Sequence, residues 1–211
     1  METTEKKDYR KLAKTAYILL TVILIILYMV PSTGQNVIEN IGAALTPKPA
    51  EKSPFNYQID SASKTCQITG IGSYQNSHLN IPANIANNTV TTIGSGAFRN
   101  ITEIKSATIP GNVKIIGNHA FAYCTGLTSV TLNYGVEQIG SGAFYKCNEL
   151  SNITIPSTVT FIGNNALANC HSLKTIYFNG MKSQWITISA ESGWKTNLNC
   201  TVFCTNGSIH S

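Results

Sequence analysis

Two places in the chain set a histidine near a cysteine, the pairing used by thiol nucleophiles and by zinc sites. His119 stands five residues ahead of Cys124, and His171 directly follows Cys170. A thiol nucleophile needs its base within hydrogen-bond reach, and zinc needs ligands converging at about 2.0–2.3 Å. The surrounding sequence weakens both readings. IGNHAFAYCTGL from Ile116 recurs 23 residues earlier as IGSGAFRNITEI from Ile93, and again as IGSGAFYKCNEL from Ile139 and IGNNALANCHSL from Ile162. His119 therefore occupies a slot held elsewhere by Gly96, Gly142 and Asn165, so the repeat does not require an imidazole there. Cys124, Cys147 and Cys170 share a slot with Ile101, which marks a small or medium apolar position, and buried cysteine packs as a small hydrophobe. His171 and Cys170 are adjacent, and adjacent residues on a strand point apart.

The remaining polar chemistry is sparse. Beyond the N-terminal region the chain holds His78, His119, His171, His210 and one aspartate, Asp60, with no zinc or calcium ligand spacing. Glu103, Glu137 and Glu149 fall in three different repeat slots and read as solvated positions. No catalytic, cofactor-binding or metal-ligating set is expected, and the chain reads as non-enzymatic. Cys200 and Cys204, four residues apart on a strand, would stand about 13 Å apart, too far for a disulfide. A bridge between stacked coils, such as Cys124 with Cys147, is allowed by a strand spacing of ~4.8 Å.

Charged residues make up 12 % of the 211-residue chain, and the net charge is +5. Residues 1–14 carry Lys6, Lys7, Arg10, Lys11 and Lys14 against Glu2, Glu5 and Asp8; Arg99 is the one arginine outside that segment. The remainder is too weakly basic for a nucleic-acid surface, which needs clustered Lys and Arg on one face.

The elements that must position any site follow in order. After the basic segment 1–14, expected in the cytoplasm, TAYILLTVILIILYMV (Thr15 to Val30) is an uncharged apolar run. Residues 15–33 read as a transmembrane helix or signal anchor, with the lysines on its N-terminal flank placing the rest outside. Cleavage after Gly34 would release the same exported domain; an uncleaved anchor is expected because the run is long for a signal peptide. Residues 34–54, rich in Pro and Lys towards their end, read as a semi-extended linker.

Residues 55–92 read as an N-terminal cap and partial repeat. FNYQID, a turn at SASK, and TCQITGI form a β-hairpin pattern. LNIPANIANNTVTTIG then matches the later repeats with five extra residues, expected as a surface loop. Residues 93–184 hold the repeats themselves. Leu127, Val130 and Leu132 follow the spacing of an inward-facing strand, as do Ile104, Ala107 and Ile109, then Leu150, Ile153 and Ile155, then Leu173, Ile176 and Phe178. These are expected to stack into one short parallel sheet. Val113, Val136 and Val159 make a second apolar row, Ile116, Ile139 and Ile162 a third, and Phe98, Phe121 and Phe144 an aromatic one that ends on Leu167. Gly94, Gly117, Gly140 and Gly163 recur at a turn that demands either positive φ or close backbone approach. The fold class is thus a β-rich solenoid, a leucine-rich repeat of 23-residue units with a short parallel sheet and an N-terminal β-hairpin cap, preceded by a single transmembrane helix.

The motif realised by IGSGAFYKCNELSNITIPSTVTFIG from Ile139 resembles the BspA-like leucine-rich repeats of mostly bacterial surface proteins. The resemblance covers roughly residues 55–211. It implies a C-terminal cap over residues 185–211, in which Trp185 takes the place of the repeat isoleucine and Trp194 plugs the last coil. It also implies a role in attachment or co-aggregation, without naming a ligand.

Outward strand positions alternate with the buried ones. Ser106, Thr108, Ser129, Thr131, Asn152, Thr154 and Tyr177, with Thr175 beside Tyr177, form a ladder of hydroxyls and amides ending in an aromatic. Threonine suits an exposed sheet face without any ligand; solenoid sheets are also extended binding surfaces. Two functions follow. The preferred one is a membrane-tethered extracellular module that recognises a protein or glycan. The other is a structural envelope spacer without a soluble ligand. Clustering of exposed aromatics around Tyr134 and Tyr177 would favour the first.

Overall fold

Each 23-residue unit closes one coil because its apolar positions point inward from several short segments, and a coil can bury that core only against its neighbours. A computed structural model describes residues 53–194 and 199–210, all within a unit spanning Lys52–Ser211. The basic segment 1–14, the apolar run 15–33 and nearly all of the linker 34–54 lie outside the described residues. Among the described residues, no helix is long and apolar enough to cross a membrane.

The solenoid has about six turns and two sheets of mainly parallel strands. The N-terminal hairpin is β1 (Asn56–Asp60) and β2 (Thr65–Gly70), paired antiparallel. Asp60 closes its turn by accepting hydrogen bonds from the Ala62 and Ser63 amides and from the Ser63 hydroxyl. The Ser63 hydroxyl, then the two amides, hold the Asp60 carboxyl below its ordinary pKa. Next come β3 (His78–Asn80), β4 (Asn84–Ile85) and β5 (Asn88–Ile93). The repeats add β6 (Ser106–Ile109), β7 (Ile115–Ile116), β8 (Ser129–Leu132), β9 (Gln138–Ile139), β10 (Asn152–Pro156), β11 (Phe161–Ile162) and β12 (Thr175–Asn179). Helix α1 (Lys182–Thr187), β13 (Ser189–Ala190), β14 (Thr201–Cys204) and β15 (Gly207–His210) complete the chain.

The long inward-facing strands form one seven-stranded sheet, in the order β15-β14-β12-β10-β8-β6-β3. The single parallel sheet expected from the sequence is joined by a second, eight-stranded one, ordered β1-β2-β5-β7-β9-β11-β13 with β4 beside β5. Its repeat strands are two residues long and bury one isoleucine each, Ile116, Ile139 and Ile162, so they carry too little alternation to be read as strands. The five-residue insert is likewise a short hairpin, β4–β5, rather than a loop. Ala86 and Asn87 turn it with φ of 49° and 62°, the geometry of a tight hairpin.

All the apolar rows are buried, as their spacing demands. Phe98, Phe121 and Phe144 stack with centroids 5.0 and 5.2 Å apart, and Phe55 closes the N-terminal end edge-on to Phe98 at 6.2 Å. Full burial of each such ring stabilises by about 2–3 kcal/mol. At Gly117 a Cβ would lie 2.7 Å from the Ser95 amide nitrogen and 2.8 Å from the Ile93 carbonyl oxygen. Close approach, not positive φ, therefore explains that glycine row. Positive φ falls two and six residues later, at Gly96, His119, Gly142 and Asn165 and at Asn100, Tyr123, Lys146 and Asn169.

The C-terminal end departs from the sequence reading at Trp185. Helix α1 inserts five residues, so Ala190, not Trp185, pairs with Ile162. Trp185 lies on the helix instead and packs edge-on against Phe178 at 5.1 Å. Trp194 packs against the core beside it at 5.8 Å, and its carbonyl accepts the Leu167 amide.

Candidate functional site

The parallel register sets the outward side chains of the seven-stranded sheet into two rows. One runs His78, Ser106, Ser129, Asn152, Thr175, Thr201, His210; the other runs Asn80, Thr108, Thr131, Thr154, Tyr177, Phe203, Ser208. Seven strands at ~4.8 Å make a face about 29 Å long. All the outward residues expected from the sequence, Ser106, Thr108, Ser129, Thr131, Asn152, Thr154 and Tyr177, stand in these rows. Thr131 and Tyr177 are exposed and the others half-buried.

The rows are longer than the repeats. His78 shares a hydrogen bond with Ser106 at one end, and His210 with Thr201 at 3.1 Å at the other. Phe203 stacks on Tyr177 with centroids 6.0 Å apart, and both rings are nearly half exposed. The exposed aromatic pair of this face is therefore Tyr177 and Phe203. Tyr134, 76 % exposed, sits on the turn after β8, outside both rows. Phe203, Thr201 and His210 were missed because Thr201 follows Thr175 by 26 residues, off the repeat period; the alternation in CTVFC was the available signal.

The Tyr74 hydroxyl covers the edge of this sheet. It donates to the His78 carbonyl at 2.6 Å and accepts the Asn80 amide at 3.1 Å. Those two groups on β3 would otherwise recruit a further strand.

The histidine–cysteine pairs do not assemble. The Cys170 thiol is buried and donates to the Phe144 carbonyl at 3.0 Å, while His171 is exposed. Cys124 and Cys147 make the same bond to Phe98 and Phe121, at 3.0 and 3.1 Å, and stand as separate thiols. Burial pushes the Cys124 thiol up to about 12. Cys147 is raised too, by the neighbouring Cys170 thiol and by burial. Such thiols hold their protons and are poor nucleophiles. His119 sits at φ 55°, a conformation in which histidine is enriched, so its slot has a backbone reason. Glu137 pairs with Lys114 at 3.0 Å and Glu149 lies 3.8 Å from Lys105, all exposed. Among the described residues, no three His, Cys, Asp or Glu side chains group to hold a metal.

Comparison with known proteins agrees with this architecture. The family described as BspA type Leucine rich repeat region matches residues 59–207 in six copies. A leucine-rich repeat protein from Bacteroides capillosus is 32 % identical with a TM-score of 0.55, over 60 % of this chain and 95 % of that one. The T. pallidum leucine-rich repeat protein TpLRR is 27 % identical with a TM-score of 0.56, over 63 % of this chain and 60 % of that one. No curated protein matches the chain.

Proposed function

The chain belongs to the BspA type leucine-rich repeat family, and from that premise we propose that it is a membrane-tethered extracellular recognition module binding a protein or glycan on the outer face of its seven-stranded sheet. Leucine-rich repeat proteins of this kind are a non-catalytic scaffold type and are often found outside the cell or at its surface. Tethering rests on the apolar run within residues 15–33 and the lysines before it.

The observation that carries the reading is the pair of in-register rows, the second of which sets Tyr177 beside Phe203 towards its C-terminal end. Short polar side chains in register offer hydrogen bonds at a constant spacing. The adjoining rings supply the apolar area that anchors interfaces, where aromatic residues dominate binding energy. A sheet face serving only as a spacer has no need of two stacked, half-exposed rings at one end.

The test is binding of purified residues 52–211 to an array of extracellular matrix proteins and glycans. Saturable binding to at least one member supports recognition. A folded domain that binds none and self-associates favours the structural spacer.

A further inference from the structure

The loops between the two sheets carry a groove that shares no residue with the sheet rows. Its volume is about 480 Å³, and His119, Tyr145, Asn164, Asn165, Asn169 and Glu191 line it together with Ser141 and Gly142. That size falls among ligand sites, typically ~300–1,000 Å³. Its lining is unusual for such a site, being mostly amide, carboxylate and imidazole around one phenol ring. We propose that this groove binds a single pyranose-sized sugar, as a second site independent of the sheet face.

The walls are held in place before any ligand arrives. Glu191 Oε2 accepts the Asn164 amide at 2.7 Å and the Ser141 hydroxyl at 3.4 Å, which ties the carboxylate to two successive coils. Its other oxygen, Oε1, makes no hydrogen bond among the described residues. The His119 imidazole lies over Gly142, where a Cβ would come within 2.4 Å of Nδ1. Tyr145 is braced by Tyr123, edge-on at 5.5 Å, and by the Lys146 ammonium 5.5 Å from its centroid. Preorganised walls lower the ordering cost of binding.

The chemistry selects the ligand class. An apolar molecule would cover the Glu191 charge and its Oε1 without offering either a hydrogen bond, at a cost. An anion would meet the Glu191 charge. A metal ion would find two of the usual ligand types, Glu191 and His119, where protein sites gather three or more. A sugar suits the lining: adjacent hydroxyls donate to the carboxylate, ring and hydroxyl oxygens accept from the Asn165 side-chain amide, and the C–H face packs on the phenol ring.

The test is saturation-transfer NMR on the full-length chain in a non-glycosidic detergent, with glucose, galactose, mannose, N-acetylglucosamine and their methyl glycosides as probes. At least one probe is expected to bind saturably. Glu191→Gln keeps an oxygen for the Asn164 amide and removes the charge; Asn165→Gly keeps the backbone at φ 55° and removes the amide. Each is expected to weaken binding about tenfold with the melting temperature unchanged, while Glu137→Gln, outside the groove, leaves it unchanged. Binding of methyl glycosides as tight as the free sugar assigns the groove to a glycan-linked residue, and their exclusion to a free sugar. No saturable transfer to any probe, or equal binding by wild type and both groove variants, overturns the proposal.

Discussion

The Cys147 thiol donates a hydrogen bond to the Phe121 carbonyl, 3.1 Å away and one coil earlier, while the ring of that same Phe121 stacks on Phe144. Cys124 and Cys170 repeat the relationship with Phe98 and Phe144. The cysteine slot therefore does more than fill space. It supplies a donor to a carbonyl in the loop, where strand pairing cannot reach.

Cys147→Ala removes that donor and leaves a small void. Unfolding of residues 52–211 in urea is expected to show a loss of about 1–3 kcal/mol. An unchanged midpoint would mean the thiol is a spacer only.

The same burial gives a pH dependence. The Cys124 pKa rises from 9.0 to about 12 in the folded chain. As pH increases, the unfolded chain loses this proton first. The retained thiol therefore favours the native state fully below pH 9.0, and that contribution fades as pH climbs towards 12. Denaturation between pH 8 and about 10.5 is expected to show wild-type stability falling more steeply than that of Cys124→Ala. Parallel profiles would remove Cys124 as a source of the dependence.

Two glycine rows make different demands. At Gly117 a Cβ would strike backbone of the preceding coil, whereas at Gly96 it would meet nothing within 4 Å but would hold φ at +65°. Gly117→Ala is expected to cost about 1–3 kcal/mol through overpacking, and Gly96→Ala about 1–2 kcal/mol through backbone strain. Calorimetry separates them further when Gly96→Asn is added: asparagine tolerates that conformation and restores most of the loss, a rescue that no substitution should give at Gly117.

His119 shares the Gly96 slot, and its backbone has φ 55°. His119→Asn is expected to leave stability within about 0.5 kcal/mol. His119→Val is expected to cost about 1–2 kcal/mol, because a β-branched side chain resists that conformation. Equal melting temperatures for the two would show that the slot is not conformational.

Much of this fold was legible because its rows are written once per period. Leu127, Val130 and Leu132, and their counterparts, needed only counting. The second sheet was not legible, since Ile115–Ile116 and its equivalents bury one residue per strand and leave no alternation to detect. Nor was the second positive-φ slot, where Asn100, Tyr123, Lys146 and Asn169 share a backbone conformation but no side-chain chemistry. At the C-terminal end, helix α1 shifted the register, so that Ala190 rather than Trp185 continued the isoleucine row. The outward rows could be read within the repeats. Their extensions to His78, Phe203 and His210 depended on strands outside the repeat period, and the groove at Glu191 on a coil whose spacing the helix had altered.

The central claim is that the outer face of the seven-stranded sheet is the recognition surface. The most direct measurement compares residues 52–211 with a Thr131→Lys, Thr154→Lys, Tyr177→Ala variant of equal melting temperature, each titrated against a binder found on the array. The account predicts that the variant weakens binding about a hundredfold or more, since two buried charges and a lost aromatic anchor each cost on the order of 1–2 kcal/mol at an interface. Binding of equal affinity by the folded variant would contradict it.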